Sequence, residues 1–228
     1  MNGDCPWPPE VVGIRDFCEA VDPCALVMQP VSTASALAFV PVGAFVVWLA
    51  VVRRQPALGL VAGAMLAMAV GTVAQHATGT WAGMVVDHLG MELTNVVLLL
   101  LGLRRWRGFA WRPLVVVGLV AVASLVALTE LEPALRRGMV VAMMVPSAMV
   151  EARLWLRDGA TTTYRWLGAG WACFAVGSLC WRLDQGPLCA PSSSVQLHAV
   201  WHVASAAAMA CWAVFYAQFD SLRVGRVP

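Results

Sequence analysis

Four histidines occur in the 228-residue chain, His76, His88, His198 and His202. His198 and His202 lie in LHAVWH, and an i, i+4 spacing sets both imidazoles on one helical face, where they can share a metal ion. His76 closes an earlier apolar stretch, and Asp87 stands about two helical turns into the next one. An ionisable residue at membrane depth is costly, so each of these is a functional-site candidate by default. Three imidazoles with an open fourth position form a known catalytic zinc geometry. Between the paired histidines stand Ala199, Val200 and Trp201, so the glutamate of an HExxH helix is missing. A general base must come from another helix, and Asp87 is the obvious supplier.

Each residue alone has a plainer reading. An HxxxH pair can line a cavity or hold a bis-histidine haem, and a histidine at a helix end is commonly an interfacial polar residue. Asp87 can be an ion-pair partner for Arg182. His88 is expected to pair with Glu92, one turn on, and Arg182 with Asp184 to form a structural polar pair. The joint placement of three histidines and a carboxylate is what favours a metal site.

The elements that must position them are helices. Sixty per cent of the residues are hydrophobic and 12% charged, with a mean hydropathy of +0.74; a soluble domain carries about 25% charged residues. Disorder and an ordinary soluble domain are excluded, no nucleic-acid partner is expected, and an all-α integral membrane protein is. Apolar stretches recur at about 31–52, 57–78, 80–102, 113–130, 137–156, 163–183 and 196–218. Backbone groups in lipid must be paired within the segment, and the alternation of barrel strands is absent.

Arginine, the only cationic residue type besides histidine, sets the orientation. Arg53, Arg54, Arg104, Arg105, Arg107, Arg112, Arg153, Arg157, Arg165, Arg223 and Arg226 fall on one side; Arg15, Arg136, Arg137 and Arg182 fall on the other, beside an acidic N-terminal segment. The bias predicts a seven-transmembrane bundle, N-terminus out and C-terminus in. Residues 1–30 form an extracytoplasmic segment, and 31–228 a seven-span domain with a short cytoplasmic tail. No cleavable signal peptide is expected. The all-arginine composition points to a bacterial inner membrane. In this topology His76, Asp87, His198 and His202 share the outer half.

Read together, DFCEA (Asp16 to Ala20), QPVSTASALAF (Gln29 to Phe39), GTVAQHATGTWAGMVVDHLGM (Gly71 to Met91), WRLDQGPLC (Trp181 to Cys189) and LHAVWH resemble the alkaline ceramidase family. This family lies within the wider group of seven-helix membrane hydrolases that includes the adiponectin-receptor type. The family shows a serine four residues before a histidine and an aspartate eleven after it; this chain keeps His76 and Asp87 at that spacing, with Thr72 in place of the serine. The resemblance implies zinc held by His76, His198 and His202, Asp87 beside the attacking water, and Thr72 as a hydroxyl donor to the oxyanion. It implies hydrolysis of a ceramide-like N-acyl membrane lipid to fatty acid and sphingoid base. A metal-stabilised lipid receptor or sensor with little turnover is the alternative, motivated by the Thr72 substitution.

The family also carries a calcium site in its N-terminal segment. Asp16 and Glu19 match acidic positions of that site, while a later glutamate falls on Gln29 and another position on Val21. Of the seven cysteines, Cys173, Cys180 and Cys211 fall in apolar stretches and read as small buried residues. Cys18 and Cys189 fall in outer segments, and the resemblance implies a disulfide between them. Cys5 and Cys24 can pair instead or as well, and spacing alone does not choose.

Overall fold

The computed structural model describes residues 5–7, 14, 16–159, 162–186 and 188–222, with only the backbone for Pro133, Arg136 and Arg137. Arg15, Arg223 and Arg226, which entered the orientation count, lie outside the described residues. The chain is all-helical: α1 (Pro30–Ala36), α2 (Phe39–Arg53), α3 (Ala57–Thr78), α4 (Trp81–Arg107), α5 (Trp111–Leu131), α6 (Arg136–Asp158), α7 (Arg165–Asp184) and α8 (Leu197–Tyr216). Among the described residues there is no β-strand.

Among the described residues, six stretches are long and apolar enough to cross a membrane, α1 and α2 counting together as Pro30–Arg53. The exception is α7, of 20 residues, in which arginines near both ends and several Trp and Gly residues lower the hydropathy. The first apolar stretch, expected as one helix, tightens between α1 and α2, where Ala38 N donates to Ser35 O and Val40 N to Leu37 O. These i→i−3 bonds precede Pro41, which has no N–H to continue the ladder. The third stretch runs beyond its expected end to Arg107, because the helix outlasts its apolar part.

α3 and α4 form a tight antiparallel hairpin. Thr80 caps α4 by accepting from Gly83 N. The two backbones approach so closely that a Cβ at Gly90 would lie 2.6 Å from Met68 Cα, and one at Gly71 would collide with the Asp87 backbone. On the other side of the bundle, Trp201 and Trp212 of α8 seat against Gly177 and Gly170 of α7. α1 packs on both α3 and α8, bridging the two helices that carry the histidines.

At the opposite end, Arg105 of α4 donates to Glu151 of α6, and Tyr216 of α8 donates to the same carboxylate at 3.0 Å. The Arg105 guanidinium also lies over the Phe219 ring, 3.5 Å from its centroid. This buried knot ties three helices together. Each charge there has a partner, which buried charges require.

The close α3–α4 approach makes a direct expectation. Gly90→Ala should lower thermal stability in detergent by about 1–3 kcal/mol through overpacking. Gly59→Ala, where a Cβ meets nothing within 4 Å, should leave the melting temperature unchanged or higher. Equal melting of the two variants would contradict the packing described.

Candidate metal centre

His76 sits in the last turn of α3, while His198 and His202 occupy the first two turns of α8. All three are buried, and each offers a ring nitrogen within 4.8 Å of the others, so the group could hold a metal ion. His76 Nε2 and His198 Nε2 stand 3.2 Å apart. Two nitrogens bound tetrahedrally to one zinc at ~2.0–2.1 Å would be separated by ~3.3 Å. An all-imidazole set also suits zinc, copper or nickel chemistry rather than calcium. The residues present therefore fit a first-row divalent metal.

Contacts from outside α3 and α8 support each ring. Gln29 Oε1 meets His76 Nδ1 at 2.7 Å, and Ser35 Oγ meets His202 Nδ1 at 2.8 Å. Phe17 stacks on His198 with centroids 4.0 Å apart. His198 also donates its backbone N–H to Asp184 Oδ1 at 3.1 Å, while the other oxygen of Asp184 accepts from Cys18 N at 2.9 Å. One buried carboxylate thus joins the start of α8 to the N-terminal segment.

Asp87 is buried on α4 and accepts a hydrogen bond from the Thr72 hydroxyl on α3. The contact follows from the close passage at Gly71. Thr72, Asp87, His198 and His202 line one cavity of about 330 Å³, whose wall is otherwise largely apolar, with Met68, Met144 and Phe174 among its members. Ser205, one turn beyond His202 on the same face of α8, also lines it, and its buried hydroxyl has no partner among the described residues. The structure therefore brings His76, His198, His202, Thr72 and Asp87 to one end of the bundle.

Other expected residues stand elsewhere. Asp16 is exposed at the rim of the cavity. Glu19 is buried and accepts from Val31 N at 2.7 Å and Ser32 N at 2.8 Å, so both oxygens cap the start of α1. With Glu19 so engaged and Gln29 turned to His76, the calcium expectation gains no support from this geometry. Cys18–Cys189 and Cys5–Cys24 both form disulfides. Cys173, Cys180 and Cys211 are free, and half-buried rather than buried as expected.

Two local pairings expected from the sequence are corrected. His88 faces Glu130 of α5, Nδ1 to Oε1 3.8 Å, whereas Glu92 turns inward and accepts from Asn95. Asp184 holds two backbone amides instead of Arg182, which is exposed. Asp87 likewise bonds Thr72. Sequence reasoning missed Gln29, Ser35, Phe17 and Asp184 as neighbours of the histidines. The available signal was a polar row, Gln29, Ser32 and Ser35, at the start of an apolar helix.

A multi-pass helical membrane protein with buried imidazoles grouped beside a carboxylate is the class these observations define. A family model described as Ceramidase matches residues 14–227, and the chain belongs to that family. It is accordingly a hydrolase acting on a lipid amide bond. Comparison with curated proteins gives no match.

Asp184→Ala would leave two buried N–H groups unpaired. It should cost about 2–4 kcal/mol of stability, read as a lowered melting temperature in detergent. Asp184→Asn, which keeps one acceptor oxygen, should lose less. Wild-type melting of the alanine variant would remove Asp184 from its joining role.

Proposed function

We propose that the protein is a zinc-dependent intramembrane amidase that cleaves ceramide-like N-acyl lipids into a fatty acid and a sphingoid base. The observation that carries this reading is the convergence of His76, His198 and His202 beside the Thr72–Asp87 pair at one end of a mostly apolar cavity. His76, His198 and His202 are the zinc ligands. When bound, zinc supplies Lewis acidity and makes water a nucleophile at neutral pH.

The chain's own groups do the proton work. Asp87 accepts a proton from the attacking water and later delivers it to the leaving amine. Before that step Thr72 donates to Asp87, which orients the carboxylate. Once Asp87 is protonated it can donate to the Thr72 oxygen, freeing the threonine hydrogen to turn toward the developing oxyanion. A serine at this position does the same without the added methyl. The apolar cavity holds the acyl chain and excludes water. It lies between α6, which packs on α4, and α7, which packs on α8, and the side between α6 and α7 is the proposed route for an amphiphile from the bilayer to the site.

This reading includes α7 as a seventh span and places the N-terminus and residues 1–30 outside. Residues 31–228 form the hydrolase domain, in a bacterial inner membrane. The two disulfides, Cys18–Cys189 and Cys5–Cys24, agree with an oxidising outer compartment, and Arg53, Arg54, Arg104, Arg105 and Arg107 all stand toward the end opposite the histidines.

Purified, zinc-loaded protein should release fatty acid from a ceramide in mixed micelles, measured by mass spectrometry. Asp87→Asn should lower turnover by about 10²–10⁴-fold and Thr72→Val by about 10²-fold, with Thr72→Ser close to wild type. His198→Ala should lose both metal and turnover. Undiminished hydrolysis by the Asp87 or His198 variant would sink the assignment.

A further inference from the structure

The hydrogen bonds around the histidines account for more than their orientation, because one partner, Gln29, has no freedom in which role it plays, and a second, Ser35, has another acceptor for its hydrogen. The Gln29 amide nitrogen donates to Ile14 O at 3.2 Å and to Glu19 O at 2.9 Å, which uses both of its hydrogens. Turning the amide over would set its oxygen against two carbonyl oxygens, so Gln29 Oε1 is the atom that meets His76 Nδ1. A carbonyl oxygen only accepts. His76 Nδ1 therefore carries the ring hydrogen, and its Nε2 is bare.

Ser35 repeats the logic with a hydroxyl. Ser35 Oγ reaches both Ser32 O and His202 Nδ1 at 2.8 Å, and with its single hydrogen on Ser32 O, which can only accept, the oxygen is left to accept from His202 Nδ1. His202 Nδ1 then carries a hydrogen as well, again leaving Nε2 bare. The third ring differs. His198 Nδ1 has no partner among the described residues, and the ring is held through its face by Phe17 and through its backbone by Asp184.

We infer that Gln29 and Ser35 are positioning residues that lock His76 and His202 in the Nδ1–H tautomer and so preset two of three Nε2 donors for a metal. The inference rests on the three-histidine metal reading. His198 is the ligand whose Nδ1 no partner holds, so its ring hydrogen is free to sit on Nε2, between it and bare His76 Nε2, when no metal is bound and to move to Nδ1 when one is. A partner that fixes a ligand's tautomer typically changes metal affinity by about 10–100-fold when removed. Gln29 immediately precedes α1 and Ser35 lies within it, so the N-terminal part of the chain prepares a centre whose ligands all lie on α3 and α8.

Two measurements on the full-length protein in detergent test this. In the first, zinc is withdrawn from loaded protein by a chelator of known affinity. Ser35→Ala is expected to hold zinc about 10–100-fold more weakly, while Ser35→Thr, which keeps the accepting oxygen, holds it as wild type does. Gln29→Leu should weaken zinc as well, but it also releases Ile14 and Glu19, so melting of the metal-free variant separates misfolding from lost affinity. In the second, imidazole ¹⁵N shifts of metal-free protein should show Nδ1–H at His76 and His202, with Ser35→Ala altering His202 alone. Equal zinc retention by Ser35→Ala and wild type, or Nε2–H at His202, would overturn the inference. If wild type bound no metal, the metal reading would fail, and the ¹⁵N assignment would still decide the tautomers.

Discussion

Two buried imidazole nitrogens 3.2 Å apart, His76 Nε2 and His198 Nε2, cannot both face each other as bare lone pairs. Either a proton or a cation must lie between them. That electrostatic constraint makes sense of much of the surrounding architecture. The rings come from α3 and α8, and α1 wedges between those helices to hold them at this separation. Close backbone passage at Gly71 brings Thr72 and Asp87 to the same level, so a carboxylate stands beside the imidazoles without a loop having to supply it.

The N-terminal segment is as much a part of this centre as the helices. Glu19 closes the exposed amides of α1, Asp184 grips the backbone at Cys18 and His198, and the Cys18–Cys189 disulfide fixes the same region covalently. Phe17 is thereby laid over His198. An acidic stretch that resembles a calcium site in its residue types is used here largely for backbone hydrogen bonding, and the glutamine at position 29 matches that use. A carboxylate there could not donate to Ile14 O and Glu19 O.

The helices and the histidines were legible because they rest on strong local signals. Apolar stretches bounded by arginine, proline or glycine located every long helix, with ends shifted mainly where the helix outlasts its apolar part, as at Arg104–Arg107. The i, i+4 spacing of His198 and His202 and the rarity of ionisable residues in such stretches pointed to the right end of the bundle. Errors arose where a residue was matched with its own helix. His88 was assigned to Glu92 and Asp184 to Arg182, but the partners lie on α5 and on the Cys18 and His198 backbones. Gln29 reads in the sequence only as a position of the calcium site and Ser35 does not stand out, because glutamine and serine carry no distinctive spacing and their partners lie 47 and 167 residues away.

The knot of Arg105, Glu151 and Tyr216 has a mechanical meaning. It fastens α6 at the end remote from the imidazoles, whereas Val140 and Met144, nearer the other end, border the cavity and face α7 across it. The other half of α6 is tied to the same neighbour, because Val140 O accepts from Asn95 of α4 at 3.4 Å. Pro146, which has no N–H to give the helix ladder, lies between the two ties. A helix fastened to α4 at both levels keeps Val140 and Met144 in place as one wall of the cavity, whichever lipid lies against them.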